Sequence, residues 1–479
     1  MQLNSTKRTK ILATIGPASS TKETIIKLVQ NGLSAVRINF SHGNQEDHKK
    51  QVTIVREIEK ELQIPIAIIQ DLQGPKIRLG ELLNPLFLIE GEKIILFFGE
   101  KQTDEKIPVA YNIFPFIKKN DLIYINDGLV SLKVIDITKD SAICKILSGG
   151  SISSNKGVNL PTTHIPLDGL TKKDKEDLLF GLQENLEFDY IAVSFVQSGE
   201  DIKSVRKFLG NKSCKIIAKI ETSQAIKNLE TIIHESDAVM IARGDLAIEI
   251  GQEEVPIIQR NIISLARKHN TPIIVATQML ESMTTNLEPT RAEVNDVATA
   301  VLDQVDCVML SGETAIGRYP AETVFMMNKI IERVGKYFEE NQQKEYSQIT
   351  VENSHTQLAA VAASASMLAF QVEAKLLFVR TETGKTVFQL AAYRPTVPIV
   401  ALTSDIKVVR QLALVWGITS ILITAETDET MYKSLIKEFH DRQMLKKDDN
   451  IVLITGTRPG KAGHTNIINV TRVGEESFI

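Results

Sequence analysis

Residues 214–246 read CKIIAKIETSQAIKNLETIIHESDAVMIARGDL. Two short apolar runs, Lys215–Ile220 and Ala238–Ala242, have the composition of strands buried on both faces of a parallel sheet. Between them, Gln224–Ile233 carries apolar residues at helical spacing. The unit is strand, helix, strand, with polar residues where each strand ends. The first strand delivers Lys219 and Glu221, which stand at i and i+2 and so share a face. The second delivers Arg243 and Asp245. Two carboxylates and two cations therefore converge at the C-terminal edge of a sheet, where α/β proteins bind ligands. Two hard oxygen ligands suit Mg²⁺, and a nearby ammonium suits a phosphoryl group in transfer. Either pair alone reads first as a solvated salt bridge on a loop. The rest of the chain decides.

The alternation recurs along the chain. Short apolar runs fall at Ile11–Ile15, Ala35–Asn39, Ile66–Asp71, Tyr190–Ser194, Lys215–Ile220, Ala238–Ala242, Pro272–Thr277 and Cys307–Ser311. Helical-period segments follow most of them, at Lys22–Val29, Glu46–Leu62, Asp201–Leu209, Gln224–Ile233, Val255–Lys268, Arg291–Leu302 and Ala321–Phe338. Eight alternations over roughly 250 residues are the arithmetic of a (β/α)₈ barrel. Such a barrel keeps its chemistry at strand C-termini. Those ends carry Arg37 and Asn39, Asp71, Ser194, Lys219 and Glu221, Arg243 and Asp245, Thr277 and Gln278, and Ser311 and Glu313.

One connection is too long for a barrel loop. Between the third strand and a helix beginning near Thr171 lie β-rich runs at Leu86–Ile89, Lys93–Phe98, Leu122–Ile125, Leu129–Ile137 and Ser141–Leu147. Turn signals at Glu90-Gly91, Asn126-Asp127-Gly128 and Lys139-Asp140 divide them. They predict a small β-barrel lid over the barrel mouth, placed to exclude water from a reacting phosphoryl group. After the barrel, strand-like runs at Lys375–Val379, Pro398–Leu402, Ser420–Thr424 and Asn450–Thr455 alternate with helices such as Gln357–Ala369 and Asp428–His440. A last run, Thr465–Val470, fits an antiparallel strand closing an open α/β domain. The expected division is 1–74 plus 167–344 for the barrel, 75–166 for the lid and 345–479 for the C-terminal domain.

That last domain carries two loops suited to an anion. Thr381-Glu382-Thr383-Gly384-Lys385-Thr386 follows its first strand and should open a helix. It resembles the tail of a Walker A motif, but Val379 stands at the leading glycine position and the match fails. A second loop runs from Gly456 through Gly460 to Gly463. Each alone is equally an ordinary turn with a helix cap.

Composition agrees with this frame. A chain of 479 residues should hold about three domains. Its 43% hydrophobic content is enough for large cores, and 5% aromatic is low, as in Ile/Val-rich α/β proteins. A formal charge of −4 with no long basic run argues against nucleic acid as a partner. Cys144, Cys214 and Cys307 are too scattered for a disulfide framework or a zinc site. No apolar stretch is long enough to span a membrane, and the N-terminus MQLNSTKRTK lacks a signal-like core. The expectation is a soluble, reduced, cytoplasmic protein.

The stretches AVRINFSHG (35–43), DLQGPKIR (71–78), KIE (219–221), ARGDL (242–246), ATQMLESM (276–283), PTRAEVNDVA (289–298) and MLSGETAIGRYP (309–320) together resemble the pyruvate kinase family over essentially the whole chain. The resemblance implies transfer of the phosphoryl group of phosphoenolpyruvate to ADP, giving pyruvate and ATP, in a homotetramer that uses Mg²⁺ or Mn²⁺. It assigns Glu221 and Asp245 as ligands of the divalent cation, and Lys219, Arg37 and Arg78 as cations facing the phosphoryl group. It sets the backbone at Arg243, Gly244 and Asp245 beside the substrate carboxylate, and Thr277 by the carbon that gains a proton, with Ser311 in the same relay. Asn39, Ser41, Asp71 and the carbonyl of Leu72 match a monovalent-cation cage; Asn39, His42, Asn44 and Arg78 lie on the nucleotide side. Thr381, Thr383, Gly384, Lys385 and Thr386 would hold the phosphate of an effector, a sugar phosphate or AMP.

One departure stands out. The common form of the family reads Thr-Lys-Gly-Pro-Glu at the third strand end, and its glutamate accompanies a K⁺ requirement. Here Asp71 is followed by Leu72-Gln73-Gly74-Pro75-Lys76, and Lys76 stands at the glutamate position. That form resembles a K⁺-independent branch. Two other classes bear weighing. A metal-dependent lyase or aldolase on the same barrel would share the paired carboxylates but not explain the lid, Arg78 or the nucleotide-side residues. A catalytically dead phosphometabolite sensor would keep the C-terminal loops but lose barrel-edge residues, and Lys219, Glu221, Asp245 and Thr277 are all intact.

Overall fold

Eight short apolar strands pair in parallel and close on themselves: Lys10–Ile15, Ala35–Asn39, Ala67–Asp71, Tyr190–Val193, Lys215–Ile220, Ala238–Ala242, Ile273–Ala276 and Cys307–Leu310. Each pairs with its neighbours in chain order, and the first meets the eighth from Lys10↔Cys307 to Ala13↔Leu310. The computed structural model describes residues 7–104, 106–210, 213–341, 356–423, 428–456 and 465–474. The strands are buried almost throughout because helices cover the outer face and side chains fill the lumen. The lumen mixes alanines (Ala35, Ala67, Ala192) with larger groups (Leu12, Tyr190, Met240, Met309), which lets the layers interlock. The outer helices start where the sequence supplies caps: Thr171 with Asp174, and Thr290 with Glu293, form reciprocal capping boxes.

Two helix boundaries differ from the sequence expectation. The helix expected at Gln224–Ile233 is broken into Ser223–Lys227 and Leu229–Glu235, because the Asn228 side chain turns aside to donate to the Gln197 carbonyl at 2.8 Å. Arg243 and Asp245 do not sit on a strand-end loop but open the helix Arg243–Ile250, which puts the Asp245 carboxylate in a first turn that favours negative charge.

Past the third strand the chain builds a six-stranded sheet in the order Val158–Asn159, Leu122–Ile125, Val130–Ile137, Ser141–Ser148, Lys93–Phe98, Ile107–Val109, with Leu86–Leu88 and Gly150–Ile152 paired separately. It has its own core around Leu96, Ile123, Leu132 and Ile146. Its tip, Asn126-Asp127-Gly128, turns through three consecutive positive φ angles of 57°, 55° and 85°. Ile107–Val109, Gly150–Ile152 and Val158–Asn159 escape sequence reading because runs of two or three residues show no periodicity.

The C-terminal sheet has the order Ile418–Leu422, Ile399–Thr403, Leu376–Arg380, Asn450–Gly456, Thr465–Arg472, all parallel except the last strand, which runs antiparallel as expected. It docks at the N-terminal end of the barrel. Ala413 and Leu414 join the lumen cluster, and Tyr190 Oη donates to the Gln411 carbonyl at 2.8 Å. Around that plug run buried ion pairs: Arg410 Nη2 to Glu59 Oε2 and Arg56 Nη2 to Asp189 Oδ2, both 2.7 Å, and Arg394 Nη2 to Asp306 Oδ2, 2.7 Å. The opposite, C-terminal end of the barrel is left to the lid. Among the described residues no helix is long and apolar enough to cross a membrane.

Candidate active site

At the open end of the barrel the fifth strand delivers Lys219 into a buried polar node. Its Nζ lies 3.0 Å from Glu221 Oε1, 3.4 Å from Asp71 Oδ1 and 2.7 Å from Ser194 Oγ. Ser194 in turn donates to the Leu72 carbonyl at 2.7 Å, so the ammonium is held from three barrel strands. Burial works against the Lys219 charge, but Asp71 and Glu221 outweigh it and hold its pKa above the ordinary value. Asp71 shows the converse. Burial favours its neutral acid, yet Arg37 and Lys219 hold the carboxyl below the usual range. Arg37 Nε reaches Asp71 Oδ2 at 2.5 Å, and Arg37 Nη1 donates to Thr14 Oγ1 at 3.0 Å. Four charged side chains, Lys219, Glu221, Asp71 and Arg37, are thus paired before any substrate arrives.

Glu221 follows the fifth strand, and its Oε2 accepts from the Phe195 N–H at 2.7 Å. Burial raises its pKa; Lys219 opposes the shift and Asp245 adds to it. The repulsion from Asp245 marks the two carboxylates as neighbours whose charge a divalent cation would relieve. Each carboxylate offers about four lone-pair directions, so its present bonds leave room for a metal. Among the described residues no group of three or more His, Cys, Asp or Glu side chains is arranged to hold a metal. A cation at Glu221 and Asp245 would draw its other ligands from water and substrate, a habit of Mg²⁺.

The Lys76 ammonium meets Asp245. Its Nζ lies 2.9 Å from Asp245 Oδ1 and 3.6 Å from Asp127 Oδ1, and 5.6 Å over the Phe195 ring. Among the expected cage groups, Asn39 Oδ1 accepts from the Ser41 N–H at 3.0 Å, Asp71 pairs with Arg37 and Lys219, and the Leu72 carbonyl accepts from Ser194 Oγ. The Asp127 contact was invisible in sequence, because nothing there tells how far the lid tip folds back.

The seventh strand ends in a sharp turn. Thr277 and Gln278 have φ of 68° and 54°, consecutive left-handed residues of which the first is β-branched. Thr277 Oγ1 accepts from the Gly244 N–H at 2.8 Å and donates to the Ala276 carbonyl at 2.7 Å. The Arg243 guanidinium is spent on Asp296 and on the Thr277 carbonyl, both 2.7 Å, so at Arg243 only the backbone is left for a ligand. Ser311 Oγ, at the end of the eighth strand, is buried with no hydrogen-bond partner.

The nucleotide-side residues are looser. His42 and Asn44 are exposed, and Asn44 Oδ1 caps the helix Gln45–Leu62 by accepting from the Asp47 N–H at 3.0 Å. Arg78 Nη1 donates to the Asn155 carbonyl at 3.0 Å, tying the two lid connections together. In the C-terminal loop, Thr383 and Lys385 are exposed, Thr381 and Thr386 are buried, and Gly384 takes a φ of 80° to start the helix Lys385–Ala392. Thr381 Oγ1 accepts from the Gly384 N–H at 3.0 Å, and Thr386 bonds Thr465 at 2.9 Å. Gly460 and Gly463 of the second expected loop lie outside the described residues.

Comparison with known proteins bears on the whole chain. A family model described as pyruvate kinase, barrel domain, matches residues 6–324, and one described as pyruvate kinase, alpha/beta domain, matches residues 359–471. Pyruvate kinase 2 of Synechocystis sp. is 39% identical over 475 residues, covering 97% of this chain and 79% of that protein. The pyruvate kinase of Agrobacterium vitis is 39% identical over 479 residues, covering 99% of this chain and all of its own length. In structure, a pyruvate kinase from Cryptosporidium parvum superposes with a TM-score of 0.92 at 33% identity, covering 98% of this chain and 96% of that one. A closed parallel barrel with Lys219, Glu221 and Asp245 at its open end, matched over nearly its full length, makes this chain a phosphotransferase belonging to the pyruvate kinase family.

Proposed function

We propose that the enzyme moves the phosphoryl group of phosphoenolpyruvate to ADP and then protonates the enolate of pyruvate. The observation that carries the reading is the Lys219 node: an ammonium 3.0 Å from Glu221 and 3.4 Å from Asp71 at the barrel's open end. Phosphoryl transfer asks little covalent work of a protein; it asks for positioning and for cancellation of charge on the transferring group. Lys219 and Arg37 supply fixed positive charge, and Arg78 adds a planar fork for phosphate oxygens. Members of the family use a divalent cation; here Glu221 and Asp245 would hold Mg²⁺ or Mn²⁺, which when bound supplies Lewis-acid stabilisation of phosphoryl and enolate oxygens.

The Gly244 and Asp245 backbone at the helix start would receive the substrate carboxylate, a favourable place for an anion. Thr277 and Ser311 would deliver the proton to the methylene carbon. His42 and Asn44, both exposed, and Asn39 would face the nucleotide. The lid, residues 75–166, closes over the barrel of residues 1–74 and 167–344, and residues 345–479 form the regulatory and oligomerisation domain of a homotetramer. A phosphorylated effector, a sugar monophosphate or AMP, would bind Thr383, Gly384 and Lys385, with Thr381 and Thr386 supporting the loop. K⁺ is dispensable, on the strength of Lys76.

The deciding experiment is a coupled assay for ATP with phosphoenolpyruvate, ADP and Mg²⁺. ATP formed in step with pyruvate is the expected result. Pyruvate released from a carbon–carbon cleavage substrate, with no ATP from phosphoenolpyruvate, would move the enzyme to the lyase class.

A further inference from the structure

Glu313 stands at the barrel's open end, and the chemistry above leaves it unused. Its side chain is fully buried. The carboxylate accepts two backbone bonds, Oε2 from the Ser311 N–H at 2.7 Å and Oε1 from the Leu280 N–H at 3.1 Å. Burying a carboxylate is costly unless such charge-assisted bonds offset it.

Those two N–H groups belong to the loops after the seventh and eighth strands, which carry Thr277 and Ser311. The first of these loops holds unusual backbone: Thr277 and Gln278 are left-handed at 68° and 54°. Strain of this kind persists only where the surroundings over-determine it. Thr277 is fixed at one end by Gly244 and Ala276, and its loop is fixed at the other end, at Leu280, by Glu313. Glu313 bonds the backbone of both loops.

We propose that Glu313 is a positioning residue, a two-pronged clip that sets the spacing of the Thr277 and Ser311 hydroxyls for protonation of the enolate. The assignment rests on the reading of those hydroxyls as the proton-delivery pair. In that step the carbon–carbon double bond of the enolate takes a proton at its methylene carbon, and the enolate oxygen becomes the ketone oxygen of pyruvate. The Thr277–Ser311 pair gives up that proton and regains one from solvent. Only a carboxylate fits the clip, because an amide would set its own N–H against one of the two donors.

The test is Glu313→Gln, followed by hydrogen–deuterium exchange at the methyl group of bound pyruvate and by steady-state turnover. A misplacement of about 1 Å predicts exchange slowed by about 10²-fold. KM for phosphoenolpyruvate should stay near the wild-type value, and the solvent isotope effect on kcat should rise as protonation becomes limiting. Unchanged exchange overturns the proposal. So does a proportional loss of exchange, turnover and substrate affinity, which is what general damage would give. Glu313→Asp, which reaches only one N–H, should fall between. If neither variant folds, amide exchange in the wild-type enzyme decides: Ser311 and Leu280 as slow as the barrel strands support the clip, and either one as fast as open loop refutes it. Thr277→Val separates the two claims. Exchange that survives Thr277→Val sinks the protonation reading, whereas exchange lost in Thr277→Val but intact in Glu313→Gln sinks only the clip.

Discussion

Lys76 Nζ lies 2.9 Å from Asp245 Oδ1, so an ammonium from the lid connection rests on one of the two carboxylates proposed to hold the divalent cation. The same ammonium is 3.6 Å from Asp127 at the lid tip. Asn159, on the returning lid connection, donates to Glu249 Oε1 at 3.1 Å. The helix Arg243–Ile250 therefore meets both connections of the inserted domain, Lys76 through Asp245 and Asn159 through Glu249.

Removing either proposed metal ligand should be severe. Glu221→Gln or Asp245→Asn should weaken Mg²⁺ binding and lower kcat by at least about 10²-fold, from lost stabilisation of developing charge. Mg²⁺ titrations of activity and of intrinsic fluorescence check both halves. Near-normal turnover at ordinary Mg²⁺ would take both residues out of the metal's first shell.

Lys219→Met separates the two half-reactions. It removes a buried cation that Asp71, Glu221 and Ser194 surround, yet leaves Thr277 and Ser311 untouched. Phosphoryl transfer should be nearly abolished, while proton exchange at the methyl group of bound pyruvate continues. Equal loss of both would mean that Lys219 organises the whole node.

The limits of sequence reading follow from which residues act locally. Strand ends such as Lys219 and Glu221 were legible because period-two alternation fixes their face whatever the rest of the chain does. The helix at Arg243 was not, because ARGDL is short and lies directly behind an apolar strand; its helical state is set by packing of Leu246. Lys76 was legible as an odd residue but not as the partner of Asp245 and Asp127, since that contact needs the lid folded back across many residues. The Glu313 clip was hidden for the same reason. Its acceptors bond backbone N–H groups, which leave no trace in residue types.

The seam between barrel and C-terminal domain should be strongly coupled. Glu59 accepts from Arg410 at 2.7 Å and from Arg56 at 3.1 Å, and all three side chains are buried. Glu59→Ala takes a shared carboxylate from two buried guanidinium groups that keep Asp189 and Glu187 as partners, so its cost should fall below the roughly 3–5 kcal/mol of an unpaired buried charge. Paired with Arg410→Ala in a double-mutant cycle on thermal unfolding, it should show a coupling of at least about 1 kcal/mol. An additive cycle would show that the network contributes nothing to docking.

The loop at Thr383–Lys385 should respond to one phosphate. Thr383 and Lys385 are exposed at the start of the helix Lys385–Ala392, whereas Glu382 beside them repels a second phosphate even though Arg380, 3.7 Å away, tempers its charge. Activation by a sugar monophosphate or AMP in preference to a sugar bisphosphate is expected, and Lys385→Ala should abolish it without changing basal turnover. Strong activation by fructose 1,6-bisphosphate alone refutes the charge argument.

K⁺ should be dispensable. Lys76 Nζ lies 2.9 Å from Asp245 Oδ1, so its charge stands beside a carboxylate proposed to hold the divalent cation. The replacement is large: exchanging the family's glutamate for lysine raises the local charge by two units, and one unit at about 4 Å is worth roughly 4 kcal/mol at an effective dielectric near 20. Among the expected cage groups Asp71 is paired in charge with Arg37 and Lys219, its buried Oδ1 accepts no hydrogen bond, and the Leu72 carbonyl accepts from Ser194 Oγ. Full activity is therefore expected in tetramethylammonium buffer free of K⁺ and NH₄⁺. Lys76→Glu should bring three carboxylates together at Asp245 and Asp127, weaken lid closure and create partial K⁺ dependence, incomplete because Leu72 and Gln73 remain. Stimulation of the unmodified enzyme by about tenfold or more in K⁺ at saturating substrates, about 1.4 kcal/mol of transition-state stabilisation, would show that the lysine does not replace the ion.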